Sequence, residues 1–140
     1  MPGGFTETAA RPRNLGRSIL ALLAGALVAV VLSLVTDLLL HQFGFYSSIG
    51  QPTSSTELAV ATFYRSLYGI LSAWVTARLA PYNPMGHALV GGAIGTLVAL
   101  AGAIGTWNLN LGPHWYSIAL VVLSLPEAWI GGKIREMQLR

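Results

Sequence analysis

Long apolar runs alternate with short polar breaks along this chain. Four of the runs, residues 18–40, 58–80, 87–106 and 115–132, each come close to the about 20 residues that a helix needs to cross about 30 Å of hydrocarbon. The pattern predicts an all-α integral membrane four-helix bundle, with a tail over residues 1–17 before it and a second over 134–140 after it. The first run follows Arg-Pro-Arg-Asn-Leu-Gly-Arg and so begins like a signal peptide. Its uncharged stretch is longer than a signal peptide's apolar core and ends without an Ala-x-Ala site, which predicts a retained first span. Local signals agree with the runs. Ser54 and Glu57 have capping-box spacing before the second, and Asn83-Pro84 and Pro113 supply the N-cap and N1 chemistry of helix starts before the third and fourth.

Composition narrows the class. Hydrophobic residues make up 54% of the chain and charged residues 9%, far below the about 25% charged of a soluble domain. The segments between spans are too short for a separate compact domain of about 50 residues. With no cysteine, disulfides, thiolate metal sites and cysteine nucleophiles are excluded. The net charge of +3 comes from placement. Arg11, Arg13, Arg17, Arg78, Lys133, Arg135 and Arg140 fall on one side if the spans alternate, and no lysine or arginine falls in the two opposite loops. This is the positive-inside pattern, which puts both termini in the cytoplasm. Anionic lipid headgroups then serve as the counter-charge, and no nucleic-acid partner is expected.

Small residues recur at four-residue spacing in the first three spans, the arrangement that lets helix backbones approach closely in a bilayer. They are Ala21, Gly25, Ala29 and Ser33; then Ala61, Gly69, Ala73 and Ala77; then Gly91, Gly95, Ala99 and Ala103, with Gly92 and Thr96 beside them. The third span carries no charge and is small around much of its circumference. It is predicted to lie centrally, touching two neighbours or a second subunit. Trp107 and Trp115 at one level, and Trp74, Tyr82 and Trp129 at the other, fit interfacial aromatic belts.

The intramembrane charges are where chemistry would sit. Arg65 lies about 10 Å inside the second span, counting 1.5 Å per residue from Leu58, and needs a partner at that depth. Asp37, near the outer end of the first span and on its small-residue ridge, is the natural one. The pair reads either as a lock on the first hairpin or as an ion or proton site, and a permanently charged arginine favours the lock. Glu127 follows Pro126, which removes a backbone hydrogen bond within the fourth span. Its carboxyl would be neutral, paired with Arg78 or Arg65, or turned to the headgroups beside Lys133. Tyr64 and Tyr68 flank Arg65 and, with Ser72 and Thr76, form a stripe of hydroxyls at i, i+4 spacing. Most such hydroxyls bond across helices; a hydrated passage is the alternative. His41 and His114 are weak candidates to ligate a haem or metal at the outer ends of the first and fourth spans, and lack partners for that role. No cofactor is expected. Without a nucleophile triad, an HExxH motif or a phosphate-cradling loop, an enzyme is not expected either.

The segments Tyr64-Arg-Ser-Leu-Tyr-Gly, Thr76-Ala-Arg-Leu-Ala-Pro, Asn83-Pro-Met-Gly-His, Gly105-Thr-Trp-Asn and Gly112-Pro-His-Trp-Tyr resemble uncharacterised small four-span bacterial membrane proteins over the last three spans. The resemblance implies a bacterial inner-membrane location and brings no assigned activity. The chain differs from the small multidrug transporters, whose carboxylate sits at mid-membrane in the first helix. The expected function is therefore non-enzymatic, through helix packing as a homo-oligomer or as an accessory subunit of a membrane complex. The alternative is a small proton- or ion-coupled transporter or channel using Arg65, Asp37 and Glu127.

Overall fold

The structure, a computed structural model, describes residues 14–48 and 51–140. Arg11, Arg13 and most of the 1–17 tail lie outside the described residues. Four helices follow in order, α1 (Leu15–Gln42), α2 (Ser55–Leu79), α3 (Pro84–Thr106) and α4 (Trp115–Gln138), and all four are long and apolar enough to cross a membrane. Each starts a few residues before the matching apolar run or at its first residue, and α4 continues well past its run, because helix-forming polar residues extend the ends.

The starts have identifiable causes. At α2 the Ser54 side chain accepts from the Glu57 backbone N–H while the Glu57 carboxylate accepts from the Ser54 N–H. At α3, Asn83 adopts φ 41° and its side chain accepts from Gly86 N–H at 3.1 Å, with Pro84 as the first helical residue. The fourth start departs from expectation. His114 occupies the cap position without a side-chain cap, so Pro113 stands one residue ahead of the cap instead of at N1. α4 then runs unbroken through Pro126.

Successive helices are antiparallel, so both termini share one end with the α2–α3 turn (the termini end), and the other two connections share the opposite, loop end. α1 and α4 make no contact, whereas α2 and α3 each touch every other helix. This gives a diamond with α2 and α3 on the short diagonal. The small-residue pattern predicts α3 at the centre, but α2 takes more of that position. It buries Leu58, Ala61, Tyr64, Ala73, Thr76 and Ala77, against His87, Ala88 and Ala103 on α3.

Close approach is achieved through missing side chains. A Cβ on Gly25 would meet the Ser72 carbonyl at 2.7 Å and the Thr76 side chain nearer still; one on Gly131 would strike the α2 backbone at Ile70 and Trp74; one on Gly92 would strike Ala128. The resulting core is alanine, with Ala73, Ala77, Ala88 and Ala128 in one cluster. The large apolar side chains point outward instead, among them Leu20, Leu27, Leu38, Phe63, Leu97 and Ile104. An exterior of this kind suits hydrocarbon and is foreign to a soluble monomer.

These contacts set an expectation for stability. Gly25→Ala forces its methyl against a backbone carbonyl and should cost about 1–3 kcal/mol. Gly16→Ala, on the same helix but with open space around it, should be neutral or gain up to about 1 kcal/mol from helix propensity. Equilibrium unfolding of both variants in bicelles reads the difference. Equal effects would show that the α1–α2 approach is not as close as described.

Candidate functional site

At the loop end the chain leaves α1 through Gly44 at φ 75°, the left-handed turn that glycine accepts without strain. This carries Tyr46 and Ser47 back over the start of α2. Glu57 anchors them there, its Oε1 accepting from Ser47 N–H at 2.6 Å and from Ser47 Oγ–H at 2.9 Å. One carboxylate thus caps α2 and ties down the connection. The two connections at this end are themselves joined, by Thr53 N–H to the Leu111 carbonyl at 3.0 Å and by Trp115 Nε1–H to Ser55 Oγ at 3.4 Å.

Beneath them lies the predicted charge pair. Arg65 Nη2 donates to Asp37 Oδ2 at 2.6 Å, and Tyr64 donates its phenol hydrogen to Asp37 Oδ1. Because Tyr64 has one hydrogen and spends it on the carboxylate, its oxygen must accept from Tyr46 OH, 2.5 Å away. Burial, the largest influence, holds the Tyr46 phenol above the ordinary tyrosine range, which keeps that hydrogen in place. On the other side, the Arg65 guanidinium carbon stands 6.0 Å from the Tyr116 ring centroid of α4, within cation–π range. Arg65 Nε is buried with no hydrogen-bond partner among the described residues. A cavity of about 240 Å³ opens here, lined by Asp37, His41, Leu58, Ala61, Arg65 and Tyr116 among others.

From this cluster the predicted hydroxyl stripe runs down the α1–α2 seam. Thr36 Oγ1 donates to the Leu32 carbonyl at 2.8 Å and so accepts from Tyr68 OH at 2.7 Å. Ser72 Oγ donates to the Gly25 carbonyl at 2.7 Å, and Thr76 is buried against Gly25. At the termini end, His87 Nδ1 faces the Asn83 carbonyl at 3.1 Å, which requires an N–H there. Nε2 therefore accepts from the Ser18 hydroxyl at 2.8 Å. Tyr68, Ser72 and Ser18 thus bond across helix interfaces.

The structure therefore brings together Asp37, Arg65, Tyr64 and Tyr68, and it places Glu127 elsewhere. Glu127 packs over Gly69 on the α2–α4 seam, with Ser66 beside it. The ion pairs among the described residues are Arg65–Asp37 and Lys133–Glu136, so neither Arg65, Arg78 nor Lys133 holds Glu127. Arg78 lies instead over the Trp74 ring at 5.4 Å. His41 and His114 are committed to nearby backbone carbonyls, Nδ1 of His41 to Asp37 at 2.8 Å and Nε2 of His114 to Trp107 at 2.9 Å, with the His114 ring stacked on Trp107. Of the packing glycines, Gly25 and Gly69 meet neighbours closely, and a Cβ on Gly91 would lie 3.4 Å from the Leu22 side chain. Gly95 has nothing within 4 Å.

Sequence reasoning missed Tyr46, Tyr116 and Thr36, and read Glu57 as a cap alone. Thr36 is adjacent to Asp37 and was the most accessible of these. Tyr46 needed the Gly44 reversal, and Tyr116 needed the position of α4. Gly131 and Gly132, which accommodate α2 and α3 respectively, were also not singled out. Comparison with protein-family models, curated proteins and solved structures finds no match to this chain.

Removing one partner of the charge pair should be costlier than removing both. The side chains keep 34% and 23% of their exposure, so the cost of stranding either charge falls below that of a fully buried pair, to about 2 kcal/mol. Asp37→Leu and Arg65→Met should each lose about that much in equilibrium unfolding, and the double variant less than either. Strictly additive losses would show that the two groups do not interact.

Proposed function

We propose that the chain is a multi-pass protein of the bacterial inner membrane, with both termini cytoplasmic, that works without catalysis by packing against other membrane helices. The partner is a second copy of the chain or a subunit of a larger complex. The placement of charge supports the orientation. Arg17, Arg78, Lys133, Arg135 and Arg140 lie toward the termini end, and neither loop-end connection contains a lysine or arginine among the described residues.

One observation carries the packing reading. Gly91, Gly95, Val98, Gly102 and Gly105 follow the three- and four-residue spacing of a single helix face on α3. Gly91 is met by Leu22 of α1, but Gly95, Gly102 and Gly105 have nothing within 4 Å. Elsewhere in the bundle, glycines at helix contacts are occupied: Gly25 by α2, Gly69 by α4, Gly92 by α4 and Gly131 by α2. Glycine in a helix interior costs about 1 kcal/mol against alanine, and three such positions face nothing among the described residues. A helix from another subunit can use them for the close backbone contact that drives association in lipid.

The test separates fold from assembly. Gly95→Leu and Gly102→Leu place side chains in open space, so unfolding of the isolated chain should be unchanged or slightly more difficult. Association in lipid nanodiscs, read by energy transfer between labelled copies or by crosslinking to co-purified subunits, should weaken at least about tenfold, equivalent to about 1.4 kcal/mol. Undiminished association, or a wild-type chain that is monomeric with no subunit captured, overturns the proposal.

A further inference from the structure

Of the five acidic residues in the chain, four lie among the described residues and three of these are satisfied. Asp37 has Arg65 and Tyr64, Glu57 has Ser47 and Ser54, and Glu136 has Lys133 at 3.7 Å. Glu127 has no cation among the described residues, yet it lies within the fourth span, about 7.5 Å before its termini end at 1.5 Å per residue. Its carboxyl meets Gly69, eleven residues from either end of the second span.

Its setting is built from small residues. A Cβ on Gly69 would strike the Glu127 carboxyl oxygen, so the glycine is what leaves room for the acid on this face of α2. Toward the termini end the seam is closed by Gly131 against the α2 backbone and by Ala128 against Gly92 of α3. The polar group placed beside the carboxyl is the hydroxyl of Ser66.

The charges on every packed element are engaged elsewhere or lie far along the helix. On α2, Arg65 is turned to Asp37 and Tyr116, and Arg78 lies over Trp74. α3 carries no acidic or basic residue other than His87, which is bonded to Ser18 and Asn83. On α4 itself, Lys133 sits beside Glu136 and Arg135 lies two turns beyond Glu127. α1 makes no contact with α4. A carboxylate at this half-buried point would be an unpaired anion between the Gly69 backbone and, on the membrane reading, hydrocarbon, which opposes bare charge.

We propose that Glu127 is a proton-binding site within the α2–α4 seam, occupied at neutral pH. The ligand is the proton. Release of that proton leaves a bare anion in the α2–α4 seam, so occupancy of the site and packing of these two helices are linked. The inference rests on the membrane reading of the four helices, and is independent of whether α3 binds a second subunit.

The experiment uses the full chain reconstituted in phosphatidylcholine vesicles, with resistance to carbonate extraction checked first. Release by carbonate marks failure of the membrane reading, and with it of this proposal. For retained protein, dicyclohexylcarbodiimide, an apolar reagent that adds to protonated carboxyls, should modify Glu127 as mapped by peptide mass spectrometry. The rate should fall about tenfold per pH unit once pH passes the site's midpoint. The infrared difference between wild type and Glu127→Gln should show the C=O stretch of a protonated carboxylic acid at neutral pH. Glu127 left unmodified between pH 5 and 9, a modification rate already falling below pH 6, or a difference spectrum containing carboxylate bands alone overturns the proposal even when the protein is properly inserted.

Discussion

Arg65 leaves α2 between two helices that never touch, and its guanidinium meets Asp37 of α1 on one side and the Tyr116 ring of α4 on the other. The position of three helices at the loop end follows from that one group. Asp37 is drawn to the α2 face of α1, which orients Thr36 toward Tyr68 one turn lower. Tyr64 completes the second carboxylate oxygen and in turn fixes Tyr46, so the connection between α1 and α2 is tied to the same pair. A cation this far along an apolar helix is costly by a few kcal/mol when bare. Its partner therefore contributes chiefly by removing a penalty, which is why the pair specifies an arrangement more than it adds stability.

Below the pair, stability has a different origin. Among the described residues no large side chain is fully buried, and the core is alanine. Under the membrane reading, this is the expected economy of the solvent. Leucine gains nothing by leaving lipid for a protein interior, so the large side chains remain outside and the helices gain from dispersion contact and interhelical hydrogen bonds. The α1–α2 seam uses both. Gly25 brings the backbones close enough for Ser72 to donate to the Gly25 carbonyl, a bond that a longer separation would not permit.

How much of this was legible depended on whether a feature is local. Helix number and extent follow from apolar run length, and the α2 and α3 starts follow from Ser54–Glu57 and Asn83-Pro84, because each is settled within a few residues. The Arg65–Asp37 pair was readable too, since consecutive antiparallel helices fix which depths coincide. Tyr116 was not, because its approach to Arg65 depends on where α4 settles after two further connections. Glu127 shows the same limit. Periodicity gives its depth, but which cation it would find depended on rotation of α4 about its axis. α3 touches every other helix, as its small residues predict, but shares the centre with α2. Small residues mark a face able to pack closely without naming the helix that packs there, and on α3 the Gly95 to Gly105 face meets none among the described residues.

The two sides of α2 differ in how their polar groups are treated. Toward α1, the depth of Arg65 is matched by an acid, and each of Tyr64, Tyr68 and Ser72 has a named partner. Toward α4, Gly69 and Ser66 face a carboxyl that has no cation. These conditions are coupled through a single residue. Arg65 directly precedes Ser66 in the helix, and so its side chain and the Ser66 hydroxyl leave the axis about 100° apart. The guanidinium that satisfies Asp37 meets α4 at Tyr116, about 16 Å along the helix from Glu127. Closing the first hairpin with the deepest cation in the chain is thus what leaves the α2–α4 seam with an acid and no base, and a neutral, proton-bearing carboxyl is the form of that acid that this half-buried point tolerates best.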